Sequence, residues 1–254
     1  MIDNKALQIT SSTNQFFKTL KSLTTAKGIK ENKMFFLMGE KLVNEFLESP
    51  VESYKLEYII HDAEIPQRTM ARKTFLSKEL FKELDVLGTK TPMLVLSYNP
   101  LSAKDLHLNP KGLELICPLG DPRNLGALVR TSLAFGVSEI ILTQESTHPF
   151  LPHAIKASAG AVLKTKFSLA QSLISEIPLT GENYALALHG ESLEKVKWPK
   201  NLRLWVGEEG PGLKLEHSQK RNMKFVNIPT TEVESLNAMV STSLALWEWR
   251  KQNA

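Results

Sequence analysis

The chain has 254 residues and a formal net charge of +4, with 42% hydrophobic and 23% charged residues. These proportions are typical of globular proteins and argue against a disordered or collagen-like chain, and the length suggests one large domain or two modest ones. The single cysteine, Cys117, excludes an internal disulfide and a Cys-rich zinc site, so we expect no metal. The N-terminus lacks the apolar core of a signal peptide, and no apolar run reaches the roughly 18 residues of a membrane span. We therefore expect a cytoplasmic protein without a membrane partner.

A domain boundary is predicted between residues 97 and 112, where two Asn-Pro steps interrupt regular structure. We place it at residue 105, which gives the segments 1–105 and 106–254. In the first segment, apolar residues at helical and strand spacing predict a small α/β domain. The predicted helices there are 15–27 and 41–48, and the predicted strands are 34–38, 58–61 and 93–97.

Strands and helices alternate more regularly after the boundary. The predicted strands are 113–117, 139–143, 184–188, 202–207 and 224–228, and the predicted helices are 124–135, 152–159, 168–174, 214–219 and 236–252. This alternation predicts a mostly parallel sheet that is covered by helices on both faces. Because ligands of such sheets bind beyond the carboxyl ends of the strands, the loops that follow these strands are the candidate site.

The loop after the first of these strands leads into a helix that carries polar residues. Asn124 is a candidate N-cap for this helix, and Arg130 follows six residues later, so both side chains can approach a ligand that lies across the first turns. An ordinary helix cap followed by a solvated arginine would look the same in the sequence.

Two further loops, each of which follows a predicted strand, are candidates for ligand binding. Residues 206–213 contain three glycines and two glutamates, which favours a close backbone approach to a cationic or hydroxyl-bearing ligand over a phosphate. The order of the glycines matches neither a phosphate-binding loop nor a dinucleotide fingerprint. The lack of any glycine fingerprint after the first strand argues against a Rossmann-type methyltransferase. Residues 228–242 end a strand at Ile228-Pro229 and begin a long helix that Ser235 or Asn237 caps. Taken singly, a tight surface turn and a simple helix cap explain these two loops equally well.

In this order, the three loops resemble the three motifs of the SpoU family. They read N-x-G-x-x-x-R from Asn124 to Arg130, G-x-E-G-x-G from Gly207 to Gly212, and I-P followed by S-L-N from Ile228 to Asn237. The family comprises S-adenosylmethionine-dependent RNA ribose 2′-O-methyltransferases of the SPOUT superfamily, and the resemblance covers residues 113–252. One departure is the stretch 230–232, which replaces the usual Met and Gly after Ile-Pro and shortens this loop by one residue.

The resemblance implies a fold and a set of site residues. It implies an α/β catalytic domain with a mostly parallel sheet and a trefoil knot over 106–254, preceded by a small α/β RNA substrate-binding domain over 1–105. The family is typically a homodimer through its catalytic domain. The implied catalytic residues are Asn124, Arg130, Glu209 and Asn237. The implied S-adenosylmethionine-binding residues are Gly207, Ile228 and Leu236, with Thr143 and Gly190 as weaker candidates. Arg130 is assigned to holding the target ribose-phosphate and stabilising the developing alkoxide, because arginine is a poor general base.

A lysine-rich stretch near the N-terminus is the candidate RNA-binding surface. It comprises Ser12, Asn14, Lys18, Lys21, Lys27 and Lys30, whose charges and hydroxyl or amide groups suit phosphates and ribose. A solvated helix face is the competing interpretation. By analogy, rRNA is favoured over tRNA as the substrate. The alternatives are a tRNA 2′-O-methyltransferase, a non-catalytic RNA-binding protein with the same fold, and a small-molecule transferase, which would not need the first domain.

Overall fold

In the computed structural model, the described residues are 7–62, 72–207 and 213–253. The chain divides into two compact units: unit 1 comprises Met1–Pro100 and His148–Leu163, and unit 2 comprises Leu101–Thr147 and Lys164–Ala254. The segment from His148 to Leu163 comes after the predicted boundary at residue 105 in the sequence. It nevertheless belongs to unit 1, where the Phe150 ring stacks on the Phe35 ring with their centroids 4.5 Å apart. Within the described ranges, no helix is long and apolar enough to cross a membrane.

The described residues form eleven strands and eight α-helices. The strands are β1 (Leu7–Ile9), β2 (Met34–Leu37), β3 (Tyr54–His61), β4 (Arg72–Leu76), β5 (Met93–Tyr98), β6 (Leu113–Cys117), β7 (Glu139–Leu142), β8 (Phe167–Leu169), β9 (Asn183–Ser192), β10 (Leu202–Trp205) and β11 (Lys224–Asn227). The helices are α1 (Gln15–Ser22), α2 (Ala26–Asn32), α3 (Glu40–Glu48), α4 (Lys78–Leu84), α5 (Pro122–Phe135), α6 (Pro152–Ala157), α7 (His217–Asn222) and α8 (Ala238–Asn253).

Unit 1 is built on a five-stranded mixed sheet with the order β1-β4-β3-β5-β2. Helices α1 and α4 cover one face of this sheet with apolar side chains, since Phe17, Leu20 and Phe81 join Ile60 and Met93 in one buried cluster. Strands β1 and β4 and helix α4 were not predicted. Strand β1 is only three residues long, and it pairs with β4, a strand that is distant in the sequence.

The single helix predicted over 15–27 is wrong, because the chain turns between α1 and α2. Thr25 caps α2 by accepting a hydrogen bond from the Gly28 N–H at 3.1 Å. A Cβ on Gly28 would lie 2.1 Å from the Ser22 carbonyl oxygen, so only glycine lets α2 pass this close to the end of α1.

Unit 1 buries a histidine between two aromatic side chains. His148 is 5% exposed, its Nε2 lies 3.2 Å from the Tyr98 hydroxyl, and its Nδ1 accepts a hydrogen bond from the Phe150 N–H at 3.2 Å. Burial, helped by the nearby charge of Lys30, lowers the pKa of His148 to about 4. The same loss of solvent raises the pKa of Tyr98 to about 12. His148 is therefore neutral in the folded protein at physiological pH.

We expect this histidine to destabilise unit 1 in acid. Since its pKa is depressed in the folded state, the unfolded chain binds the extra proton as the pH falls from 6.5 to 4, and about 3 kcal/mol of folding stability is lost over that range. Urea unfolding at several pH values, followed by near-UV tyrosine circular dichroism, measures the loss. His148→Gln should flatten the pH dependence. Equal slopes in wild type and His148→Gln would contradict the prediction.

Unit 2 confirms the predicted parallel sheet. Six strands pair in the order β11-β9-β10-β6-β7-β8, and all of the pairings are parallel. The predicted helix over 168–174 is wrong, because β8 occupies its beginning. The Leu169 N–H donates to the Ser102 carbonyl, and the Leu169 carbonyl accepts from the Lys104 N–H. Strand β8 therefore has a backbone partner on each side, β7 on one and the segment 102–104 on the other.

A buried ion-pair network lies at the amino ends of the strands of this sheet. The Arg203 side chain is fully buried, and its Nε lies 3.1 Å from a Glu114 carboxylate oxygen. The Lys104 Nζ lies 2.7 Å from a Glu114 carboxylate oxygen and 2.6 Å from a Glu139 carboxylate oxygen, so it links the two glutamates. Arg203 also donates to the carbonyls of Leu106 and Leu108, at 3.1 and 2.7 Å, which fastens the stretch before β6 to the sheet.

Candidate active site

The strand order of unit 2 creates a crevice between β6 and β10. These strands are neighbours, but β6 leads through α5 to β7 on one side, whereas β10 leads past β9 to β11 on the other. Where the chain leaves two adjacent parallel strands in opposite directions, a crevice opens beyond their carboxyl ends and takes the ligand. The loops at this point are the ones that carry the first two motifs.

The first motif lies on the amino-terminal half of α5, and its cap differs from the one we expected. Asp121, rather than Asn124, caps the helix by accepting hydrogen bonds from the N–H groups of Arg123 and Asn124 at 2.8 and 2.9 Å. Pro122 fits the first helical position because that position needs no N–H donor. Asn124 therefore lies inside the first turn, and its half-exposed side chain is not used as the cap.

Arg130 lies two turns further along α5. Asn124, Ala127 and Arg130 follow one another at three-residue spacing on the outer side of the helix, while Leu128 and Val129 are buried. The side chains of Asn124 and Arg130 thus both lie on the solvent side of α5, the helix that follows the carboxyl end of β6.

The second motif begins directly after β10. Val206 donates its N–H to the Ile116 carbonyl at 3.0 Å, which holds the ends of β10 and β6 together, and half-buried Gly207 follows. Glu209 lies outside the described residues, as does the rest of the stretch 208–212.

The third motif links β11 to α8. Ile228 and Leu236 are half-buried within the connecting loop. Asn237 caps α8, because its side-chain oxygen accepts from the N–H groups of Met239 and Val240 at 2.9 and 3.4 Å. Helix α8 packs on α5, with the rings of Trp247 and Phe135 5.8 Å apart, so the helices that begin in the first and third motifs lie side by side.

Of the weaker cofactor candidates, Thr143 lies directly after β7 and Gly190 lies within β9. The Thr143 N–H, at the end of β7, donates to the Ser146 hydroxyl at 2.8 Å, and Ser146 in turn donates to the Cys117 carbonyl. Ser146, which was not among the residues predicted from the sequence, thus ties the loop after β7 to the end of β6. Gly190 lies in β9 with a φ of 122°, a conformation that favours glycine.

The candidate RNA-binding residues lie on and before the first two helices of unit 1. Ser12 is exposed, and the Asn14 side-chain oxygen caps α1 by accepting from the Phe16 N–H at 2.9 Å. Lys18 and Lys21 lie on α1, and Lys27 and Lys30 lie on α2; all four are exposed. Lys21 pairs with Glu83 at 2.6 Å and Lys27 with Glu31 at 3.8 Å, so these two lysines are partly neutralised.

Comparison with known families identifies the chain. The model of the SpoU rRNA Methylase family matches residues 115–247, from β6 into α8. The chain belongs to this family. The SpoU-family segment includes all three motif loops and the crevice between β6 and β10.

Two relatives align with nearly the whole chain. The ribosomal RNA small subunit methyltransferase G 2 of Syntrophobacter fumaroxidans is 31% identical over 97% of this chain, which spans about half (50%) of that relative's length. The 23S rRNA (guanosine(2553)-2'-O)-methyltransferase RlmP of Bacillus subtilis is 28% identical over 96% of this chain and 99% of its own length.

Solved structures confirm the predicted fold class. The AdoMet-bound rRNA methyltransferase from Sinorhizobium meliloti superposes with a TM-score of 0.73 over 97% of this chain and 98% of that one, at 22% identity. The SpoU methyltransferase AviRb from Streptomyces viridochromogenes gives a TM-score of 0.75 over 94% and 98%, at 17% identity. At this level of identity the likeness concerns the fold, which is the α/β fold of SpoU-family methyltransferases.

Proposed function

We propose that the protein transfers a methyl group from S-adenosylmethionine to a ribose 2′-hydroxyl in rRNA. The observation that carries this proposal is the family match, which contains all three motif loops, each of them following the carboxyl end of a strand of the unit 2 sheet: β6, β10 and β11. The relatives named above are rRNA methyltransferases, and the name of one specifies 2′-O-methylation. A tRNA substrate is not favoured by these relatives.

The residues at the carboxyl ends of the strands fit the proposed cofactor. Leu188 in β9 and Val233 in the third-motif loop are more than half exposed and offer apolar contact to a nucleoside. Exposed Glu232 and Glu234 in the third motif suit the positive charge of a sulfonium. Backbone groups around Gly207, Ile228 and Leu236 would hold the cofactor, with Thr143 and Gly190 beside them. S-adenosylmethionine, when bound, supplies the methyl group as an electrophile.

The chain's own residues have the task of orienting the ribose and stabilising charge. In-line transfer needs the 2′-oxygen aligned with the S–CH₃ bond, so much of the rate comes from positioning. Arg130 would hold the ribose-phosphate and stabilise the oxygen as its proton leaves. Asn124 and Glu209 would orient the arginine and the hydroxyl, and Asn237 would support the cofactor or the target from the start of α8.

Several finer features belong to the same proposal. Residues 1–105 would form the RNA substrate-binding domain and residues 106–254 the catalytic domain, with a trefoil knot, in a cytoplasmic enzyme. A homodimer is supported by α8, where Val240, Leu244 and Trp247 recur at helical spacing and are 49%, 38% and 48% exposed. Such an apolar stripe on one helix suits a second copy of the chain.

Labelled S-adenosylmethionine tests the proposed reaction. Incubation of the protein with methyl-labelled cofactor and total RNA should label an rRNA, and mapping should place the label on a ribose 2′-oxygen. Incorporation into tRNA alone would mean that the substrate is tRNA instead of rRNA. No incorporation into any RNA pool would favour the non-catalytic RNA-binding alternative.

The lysines of α1 and α2 are expected to contribute to the salt dependence of RNA affinity. Each phosphate contact contributes about 0.7–0.9 to the slope of log K against log salt concentration. Replacing Lys18, Lys27 and Lys30 by glutamine should therefore reduce this slope by roughly 2 to 3. Filter binding at several salt concentrations measures the slope. The matched control replaces three exposed lysines of unit 2, Lys195, Lys197 and Lys200. An unchanged slope in the α1/α2 variant would contradict the assignment of these lysines to RNA.

A further inference from the structure

The pairing between β9 and β11 jumps at the carboxyl end of the sheet. Phe225 pairs with Ala185, but the next residue, Val226, pairs with Glu191. Five residues of β9, 186–190, therefore have no partner in the β11 register, and we call this segment the β9 bulge. An irregularity of this kind re-aims the backbone next to a site.

Close backbone contact shapes the bulge near its end. A Cβ on Gly190 would lie 2.2 Å from the Phe225 carbonyl oxygen, so the bulge returns to β11 at a point that admits no side chain. The His189 ring packs on Phe225, with the ring centroids 4.9 Å apart. The middle of the bulge is open, since Leu188 is 57% exposed.

One side chain, Asn227, bonds the middle of the bulge to β11. Its Nδ2 donates to the Leu188 carbonyl at 2.7 Å and lies 3.5 Å from the Ala187 carbonyl. Its own backbone carbonyl accepts from the Leu193 N–H at 2.8 Å, so the residue holds the chain on both sides of Gly190. Asn227 also immediately precedes Ile228, where the third motif begins.

We propose that Asn227 is a positioning residue for S-adenosylmethionine, which acts by fixing the β9 bulge beside the third motif. The inference rests on the proposed function. The amide holds the carbonyls of Ala187 and Leu188 toward β11, and it thereby fixes the course of the exposed chain from Leu188 to Gly190. Without that bond the middle of the exposed bulge is held only through its two ends, and the cofactor must order it on binding.

The test is the affinity for the cofactor of Asn227→Leu, which keeps the number and branching of the side-chain heavy atoms but removes the donor without adding charge. We expect the Kd for S-adenosylmethionine, measured by calorimetry, and its KM to rise about tenfold. At saturating cofactor, kcat on rRNA should stay within about twofold, because Asn227 does not touch the reacting atoms. Asn222→Leu is the matched control, since it also removes an amide bonded to a backbone carbonyl, that of Ser218 in α7. It should bind the cofactor as wild type does.

The possible outcomes separate this inference from the proposed function. Wild-type protein that binds no S-adenosylmethionine would overturn the proposed function. A wild type that binds, together with an Asn227→Leu variant of equal affinity, would overturn the positioning role alone. A fall in kcat with unchanged KM would also overturn it. If Asn227→Leu does not fold, Asn227→Ser, which is shorter and leaves room for water at the carbonyl, is measured in the same way.

Discussion

Replacing Arg130 by alanine is expected to reduce methyl transfer by roughly 1,000-fold or more, while the affinity for S-adenosylmethionine stays within a few-fold of wild type. Arg130 lies on the outer side of α5, nine residues after the Asp121 cap, and its side chain is exposed. Its loss therefore creates no cavity and leaves no buried group unpaired, so the fold should not change.

The size of this effect follows from the role proposed for the guanidinium. A donor aimed at charge that develops only in the transition state lowers kcat when it is removed, and it contributes little to binding of the ground state. Arg130→Lys keeps the charge but loses the planar set of donors, so it should recover only a small part of the rate.

Single-turnover assays with labelled cofactor measure the rate, and calorimetry measures cofactor affinity in the same preparations. Arg221→Ala, which removes an exposed arginine from α7 in the same unit, should behave as wild type in both. Loss of cofactor binding in Arg130→Ala would show that the arginine belongs to the cofactor site. An unchanged rate would remove Arg130 from the chemistry.

The carboxyl-end loops were predictable because the signals that place them are local. Continuous apolar runs marked β6 and β7, and the family motifs lie directly after strands of this sheet. The cap of α5 was predicted wrongly, although its signal was also local. Asp121 has a side-chain oxygen acceptor, and Pro122 behind it lacks an N–H, so the pair starts a helix better than Asn124 does.

Other features could not be read from the sequence because their partners are far apart. Asn227 and Leu188 are 39 residues apart, and Arg203 and Glu114 are 89 apart. The helix predicted over 168–174 failed for the same reason. The spacing of its leucines fits a helix, but pairing with β7 and with Ser102 gives these backbone groups other partners.

The buried network at the amino end of the unit 2 sheet is expected to have the largest effect on stability. Glu114 and Arg203 are 1% and 0% exposed, and both contact further charges or carbonyls. Burial acts to raise the pKa of Glu139, but the hydrogen bond and charge of Lys104 outweigh it and leave that pKa below its usual value. The charges of Glu114, Glu139 and Arg203 thus depend on partners that water cannot replace.

Glu114→Gln should lower the free energy of unfolding of unit 2 by about 3–5 kcal/mol, because it leaves Arg203 and Lys104 without one carboxylate in a buried place. Urea unfolding followed by tryptophan fluorescence isolates this unit, since all four tryptophans, Trp198, Trp205, Trp247 and Trp249, lie in it. Glu182→Gln is the matched control: its partner is Lys224, and the two side chains are 43% and 55% exposed. Removal of such an exposed pair should cost less than about 1 kcal/mol.

A double variant separates the pair's attraction from the cost of an orphaned charge. If the loss in Glu114→Gln arises mainly from the unpaired guanidinium, then Glu114→Gln combined with Arg203→Leu should lose much less than the sum of the two single changes. Additive losses would instead mean that the two side chains stabilise unit 2 independently. In that case the carbonyl bonds from Arg203 to Leu106 and Leu108, rather than the ion pair, would be what holds this end of the sheet together.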